Sequence, residues 1–393
     1  MSFATELVCP SCGHAQDHRH PASLCEQCGS PLLVRYDLGA VRDHWSRAAL
    51  ADRPPTLWRY RELLPVDDDA NVVSLGEGMT PILPLAELGG RLRVAQLAVK
   101  DEGQLPTGTF KARGAALGIS RAKELGIQHV AMPTAGNAGG AWATYAARAG
   151  IKAHIAMPAD APDITKREVA ATGAELFLVN GLISDAGKLI AEKCASEGWF
   201  DASTMKEPYR VEGKKTMGLE IAEQYHWQVP DVIIYPTGGG VGLVGMWKAF
   251  AELEALGWIG AARPRLVAAQ AEGCQPIVEA YAAGATSSVF ATGAHTLAAG
   301  IRVPKAVADF LVLRAIRETA GTAVAVSDDE ILVAMNDLAS REGVVASPEG
   351  AATLAAARRL ASAGWLRQED RVLLLNTGSG LKYPELLAGR PAA

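Results

Sequence analysis

Val232-Ile233-Ile234-Tyr235 and Val372-Leu373-Leu374-Leu375 are apolar runs without polar alternation. A strand with one wet face alternates, so runs of this kind are covered on both faces. Each leads into a glycine-bearing segment, Gly238-Gly239-Gly240-Val241-Gly242 after the first and Asn376-Thr377-Gly378-Ser379-Gly380 after the second. Between residues 91 and 375 strand and helix patterns alternate. Strands are predicted over 92–99, 128–132, 151–157, 175–179, 231–235, 266–271 and 371–375. Helices are predicted over 111–125, 138–149, 163–172, 184–197, 212–225 and 243–255, around 306–320 and 328–341, and over 351–361. The implied fold class is α/β, with mostly parallel, helix-flanked sheets. Such sheets bind ligands beyond the carboxyl ends of their strands, where the glycine-bearing segments fall.

The 393 residues, 49% of them hydrophobic, suffice for two domains with their own cores. The formal net charge is -5 and basic residues never gather into a stripe, which argues against a nucleic-acid partner. No apolar run reaches the length of a membrane span, and MSFATELVCP lacks the basic and apolar regions of a signal peptide. A cytoplasmic enzyme without membrane or nucleic-acid partners is the expectation.

Four of the six cysteines lie in two C-x2-C knuckles, Cys9/Cys12 and Cys25/Cys28, each followed by a glycine. Each pair places two thiolates on one tight turn, and two facing turns complete a tetrahedral zinc site. Reversible disulfides or an iron site are the alternatives. Four thiolates leave no open coordination position, so the metal is expected to be structural. His14, His18 and His20 lie between the knuckles as substitute ligands in principle, and are read as exposed loop residues.

Lys111 stands at a predicted helix start in Pro106-Thr107-Gly108-Thr109-Phe110-Lys111-Ala112-Arg113-Gly114. The partial positive charge of a helix amino terminus disfavours protonation of an amine, and a neutral amine is what an aldehyde requires. A surface lysine opening an amphipathic helix is the plainer alternative. Glycines 238, 239, 240 and 242, with Val241, expose backbone N–H groups at a strand-to-helix junction, a cradle for a phosphate. The run lacks the Lys-Ser/Thr of a nucleotide P-loop and the full dinucleotide fingerprint. Asn137 sits at another such junction, after Thr134-Ala135-Gly136, either as an N-cap or as a donor to a ring oxygen. Thr377 follows the second apolar run and offers a neutral hydroxyl to a pyridine nitrogen. Together these segments suit pyridoxal phosphate, an electron sink that side chains lack.

The motifs SLGEGMTP, TGTFKARG, TAGNAGG, YPTGGGVG and LNTGSGLK resemble the stations of the tryptophan-synthase-beta-like, fold type II pyridoxal-phosphate enzymes, and within them the threonine synthases. The resemblance spans about residues 70–385 and extends to the cysteine knuckles. It implies two sheet domains closing over the cofactor, commonly in a homodimer, with Lys111 as Schiff-base lysine, Asn137 at the ring oxygen, residues 238–242 at the phosphate and Thr377 at the ring nitrogen. Residues Thr134, Ala135 and Gly136 are expected near the substrate carboxylate. The segment from Ser203 to Thr216 is similar to the phosphate-binding stretch of the synthases, which implies Ser203, Thr204, Lys206 and Arg210 as contacts for O-phospho-L-homoserine. Arg210 has a simpler alternative in an ion pair with Glu207 or Glu212. The implied reaction is O-phospho-L-homoserine plus water to L-threonine plus phosphate; a threonine or serine ammonia-lyase is the alternative. Ala112 and Ala138 depart from the synthase pattern, and TFKARGA leans toward the dehydratases. The expected organisation is a zinc-ribbon-like module at 1–35, an N-terminal wrap at 36–90 and a catalytic body at 91–385, with approximately 125–220 contributing a smaller mobile domain.

Overall fold

The computed structural model describes residues 2–387. Its first sheet is a three-stranded antiparallel one, β1 (Ala4–Val8), β2 (Ala15–Gln16) and β3 (Leu33–Tyr36), in the order β2-β1-β3. The knuckle-bearing loops hang from it. After α1 (Leu38–His44), residues 47–71 carry three short 3-10 turns, in the stretch that lacks periodicity in the sequence.

Two compact units follow from the packing of the chain. One holds the residues up to Met79, Lys111–Leu219 and Ala251–Trp258; the other holds Thr80–Phe110, Glu220–Phe250 and the residues from Ile259 onward. The second unit contains β4 (Ile82–Pro84), α2 (Ala86–Leu92) and β5 (Gln96–Asp101). In the first lie α3 (Lys111–Glu124), β6 (His129–Pro133), α4 (Asn137–Ala149), β7 (Lys152–Pro158), α5 (Asp163–Ala171), β8 (Glu175–Val179), α6 (Ile183–Glu197) and β9 (Phe200–Asp201). The chain passes between units within α7 (Tyr209–Gln224) and within α8 (Val241–Ala255). Around them the second unit adds β10 (Val232–Pro236), β11 (Arg265–Ala271), α9 (Pro276–Ala282), α10 (Asp309–Glu318), β12 (Thr322–Val326), α11 (Asp328–Glu342), α12 (Pro348–Ser362) and β13 (Arg371–Asn376).

The first unit's four-stranded sheet runs β8-β7-β6-β9, all parallel. The second unit's six-stranded sheet runs β12-β11-β10-β13-β5-β4, parallel except for β4. The α/β class expected from the apolar runs is therefore observed. Val232, Ile234, Val372 and Leu374 are buried in one core with Leu354 and Ala355 of α12, which packs on β10 and β13. Ile233 and Leu373 are fully buried too, which is why neither strand alternates. Helix ends carry local signals: Ser327 caps α11 in a capping box with Glu330, and Ser347 with Pro348 opens α12.

The sequence places a strand start at residue 92; the structure puts α2 there, ended by Arg93 in the left-handed region, and β5 begins at Gln96. The strands β4, β9 and β12 and the first sheet are additions to the expected set.

Candidate active site

The glycine segment of the second unit opens directly from β10. Among the amides at the start of α8, the first intrahelical bond of that turn is Val244 N–H to the Gly240 carbonyl, and no acidic side chain occupies the first turn. A buried helix start of this kind attracts an anion. Gly240 has φ +70°, and a Cβ there would lie 2.1 Å from Val312 Cγ2. At Gly238 a Cβ would meet the Gly300 carbonyl at 2.9 Å. The loop is thus pressed on its inner side against protein backbone and side chains, and only glycine fits. The Gly242 N–H bonds the Tyr235 hydroxyl, whose proton burial holds more firmly than usual.

Thr377 follows β13. It is only 5% exposed, and among the described residues no hydrogen bond uses its hydroxyl, although its carbonyl accepts from Phe110 N–H at 3.0 Å. A buried hydroxyl with spare donor and acceptor capacity suits a ring nitrogen. Phe110 also packs edge-on against Tyr235, ring centroids 6.1 Å apart at 75°. Lys111 is the next residue and the first of α3, half-buried. Phe110 and Tyr235 are not among the residues expected from sequence; the phenylalanine beside the lysine and the tyrosine closing an apolar strand are the available signals.

In the first unit, the loop after β6 is braced by Thr134, whose hydroxyl donates to the Gly136 carbonyl and accepts from Gly136 N–H, both at 3.1 Å. Gly136 is the N-cap of α4, so Asn137 is the first helical residue and the capping role open to it from sequence falls to its neighbour. Ala135 and Asn137 are half-buried beside it. The paired glycines that follow serve packing. A Cβ at Gly139 would stand 2.6 Å from Thr134 Cγ2, and one at Gly140 would stand 2.1 Å from Glu168 Oε2 of α5. Glu77 of the SLGEGMTP segment is fully buried and accepts from Trp58 Nε1 (3.1 Å), Leu75 N–H (2.8 Å) and Tyr145 Oη of α4 (2.6 Å).

In the segment 201–210, also in the first unit, the charged side chains are bound largely to one another. Arg210 is 4% exposed: Nε donates to Glu207, Nη1 to Thr204 Oγ1 at 3.0 Å and Nη2 to the Ala202 carbonyl, while the guanidinium lies over Trp142 at 4.9 Å. Glu207 also accepts from the backbone N–H groups of Tyr209 (2.8 Å) and Arg210 (2.9 Å). Burial pushes the Glu207 carboxyl up, with Arg210 opposing. Ser203 Oγ and N–H both donate to Asp201, and Lys206 Nζ donates to the same carboxylate at 3.0 Å. Of the two carboxylates the sequence offers Arg210, Glu207 is the one it pairs with.

The four knuckle sulfurs lie within 4.8 Å of one another, Cys9 to Cys28 at 3.4 Å and Cys12 to Cys25 at 3.6 Å. A tetrahedron with zinc–sulfur bonds of about 2.3 Å has edges of about 3.8 Å, so the set fits one zinc ion. Gly13 and Gly29, at φ +77° and +70°, close the two turns with amides donating to the Cys9 and Cys25 carbonyls. Contrary to the expectation of an exposed loop, His18 is buried: its carbonyl accepts from Arg121 Nη2 at 2.6 Å. No helix among the described residues is long and apolar enough to cross a membrane.

Residues 73–378 match the family of pyridoxal-phosphate dependent enzymes. The chain is 36% identical to a threonine synthase of Methanocaldococcus jannaschii, over 96% of this chain and 93% of that one. Among solved structures, a threonine deaminase from Solanum lycopersicum superposes with a TM-score of 0.67 at 21% identity, covering 79% of this chain and 82% of the other. Maize serine racemase shares the fold, with a TM-score of 0.69 at 24% identity over 79% and 90% of the two chains. The buried glycine cradle and the spare Thr377 hydroxyl fit the cofactor these comparisons imply. The chain belongs to the fold type II pyridoxal-phosphate-dependent enzymes, with threonine synthases as close relatives.

Proposed function

We propose that the enzyme eliminates water from a small hydroxy amino acid, threonine or serine, and releases ammonia and a 2-oxo acid. Pyridoxal phosphate, when bound, supplies the electron sink for the α carbon. Lys111 would carry the cofactor and move the proton at the substrate α carbon. The backbone of residues 238–242 would hold the phosphate, Asn137 the ring oxygen and Thr377 the ring nitrogen. The backbone of Thr134, Ala135 and Gly136 would bind the substrate carboxylate. In the overall reaction the Cα–H and Cβ–O bonds break, water leaves, and the enamine released hydrolyses to 2-oxobutanoate or pyruvate and ammonia.

The observation that carries this reading is the commitment of the Arg210 guanidinium to Glu207, Thr204 and Ala202. A substrate phosphate at this segment would call on the charged donors Arg210 and Lys206, and both are paired to carboxylates. Ala112 and Ala138, small and without donors, also favour a substrate lacking phosphate. A second reading, O-phospho-L-homoserine and water to L-threonine and phosphate, is favoured by the 36% identity to the Methanocaldococcus jannaschii synthase. It requires Arg210 to exchange Glu207 for the substrate.

Incubation of the holoenzyme with L-threonine, L-serine and O-phospho-L-homoserine in separate reactions distinguishes the two. We expect 2-oxobutanoate and ammonia from threonine and no phosphate release. Phosphate appearing in step with new threonine, without 2-oxo acid, would overturn the elimination reading.

A further inference from the structure

The segment after β13 returns to the turn that precedes Lys111. Thr107 adopts φ 64° and ψ 12°, followed by Gly108 at φ +64°. A left-handed β-branched residue costs on the order of 1–3 kcal/mol and persists only where its surroundings over-determine it. The side chain does not supply the compensation, since Thr107 Oγ1 is buried without a hydrogen-bond partner among the described residues. The backbone is held instead. Ser379 N–H donates to the Gly108 carbonyl at 2.8 Å, Phe110 N–H to the Thr377 carbonyl at 3.0 Å, and Thr109 bridges to Gly378. Lys382 Nζ donates to the Thr107 carbonyl at 3.1 Å, and its Cδ lies 3.3 Å from where a Cβ on Gly108 would stand.

We infer that Lys382 is a positioning residue: its ammonium, on the carbonyl of the strained Thr107, keeps Thr107 and Gly108 left-handed and so sets the point from which the chain enters Lys111. Ser379 and Thr377 hold the later residues of the turn through main-chain bonds that any side chain would allow. Lys382 alone among these partners grips the strained residue itself, and it does so with a charged donor, the stronger kind of hydrogen bond. The inference rests on the reading of Lys111 as the cofactor's lysine.

Lys382→Met keeps the aliphatic stem against Gly108 and deletes the donor. In cofactor-free protein, amide hydrogen exchange at Phe110 and Ser379 should quicken by about tenfold, the effect of losing one charged hydrogen bond. In the holoenzyme, the dissociation constant for pyridoxal phosphate should rise by about tenfold and the pH midpoint of its visible absorbance should move. Lys382→Arg should restore both. Wild-type exchange and wild-type cofactor affinity in Lys382→Met would overturn the inference. If that variant does not fold, Thr107→Gly in the same background decides, because glycine adopts the left-handed turn without strain. Recovery of folding and cofactor binding then supports the inference, and absence of recovery overturns it. Borohydride reduction of the wild-type holoenzyme with peptide mapping tests Lys111 separately. A label elsewhere, with faster exchange in Lys382→Met, removes the Lys111 reading and leaves the grip on the turn standing.

Discussion

At the scale of single residues, Arg210 and Glu207 form a buried pair in which each neutralises the other. Removing one partner of such a pair leaves an uncompensated charge, and Arg210→Ala should lower the unfolding free energy by about 3–5 kcal/mol in urea titrations. Adding Glu207→Gln should recover part of that loss. His154 gives a pH dependence. Its Nδ1 pairs with Glu175 Oε2 at 2.7 Å, its Nε2 lies 2.9 Å from His129 Nδ1, and its ring stacks on Trp199. Burial holds its pKa below the usual imidazole value despite Glu175. Between that depressed value and the unfolded value of about 6.5, the unfolded chain binds more protons, so stability rises with pH and is lost as pH falls through the window. In thermal melts from pH 7.5 to 5, His154→Gln should flatten the dependence; an unchanged slope would remove His154 as its source.

At the scale of elements, α3 and α7 approach through glycine. A Cβ at Gly213 would stand 2.1 Å from the Arg113 carbonyl and 2.9 Å from Gly114 Cα, both backbone atoms that cannot step aside. Gly213→Ala should therefore lower the melting temperature by several degrees, corresponding to about 1–3 kcal/mol of overpacking. Legibility in the sequence divides along similar lines. The strands β10 and β13 are readable because unbroken β-branched and leucine runs have few other uses, and the loops after them announce the cradle and Thr377. The strand β12 escapes because Thr322-Ala323-Val324-Ala325-Val326 is short and rich in alanine. The start of β5 is misplaced because α2 contains Gly89 and Gly90, which weaken the helical signal. Asn137 reads as a cap, since nothing local shows that the helix opens at Gly136 instead. Arg210 shows its i,i+3 carboxylate in the sequence, but the Ala202 carbonyl reaches it only through the turn that the folded segment makes.

At the scale of the whole molecule, the cysteine module belongs to the first unit and is tied to it on either side of the second knuckle. Ser23 Oγ donates to the Lys206 carbonyl at 2.6 Å, and Tyr36 Oη to Glu212 Oε2 at 2.8 Å. Purified protein should carry one zinc ion per chain by elemental analysis. Cys12→Ser should lose it while retaining the absorbance of the bound cofactor, as a structural metal requires.

The six-stranded sheet also sets an order on synthesis. The four strands of the first unit's sheet all lie between His129 and Asp201, whereas β5 pairs with β13 in a register that joins Gln96 to Arg371. At roughly 5–20 residues per second, a ribosome leaves that edge of β5 without its neighbour for tens of seconds. Lys100 stands in the strand that waits; once folding is complete it is fully buried, 3.0 Å from Glu220 and from the Thr80 carbonyl. A charge on an open strand edge discourages pairing with another chain. Lys100→Met should therefore raise the aggregated fraction in cell-free translation, even with Glu220→Gln added to spare the finished fold an unpaired carboxylate. On this view the buried lysine guards the nascent chain before it serves the native one.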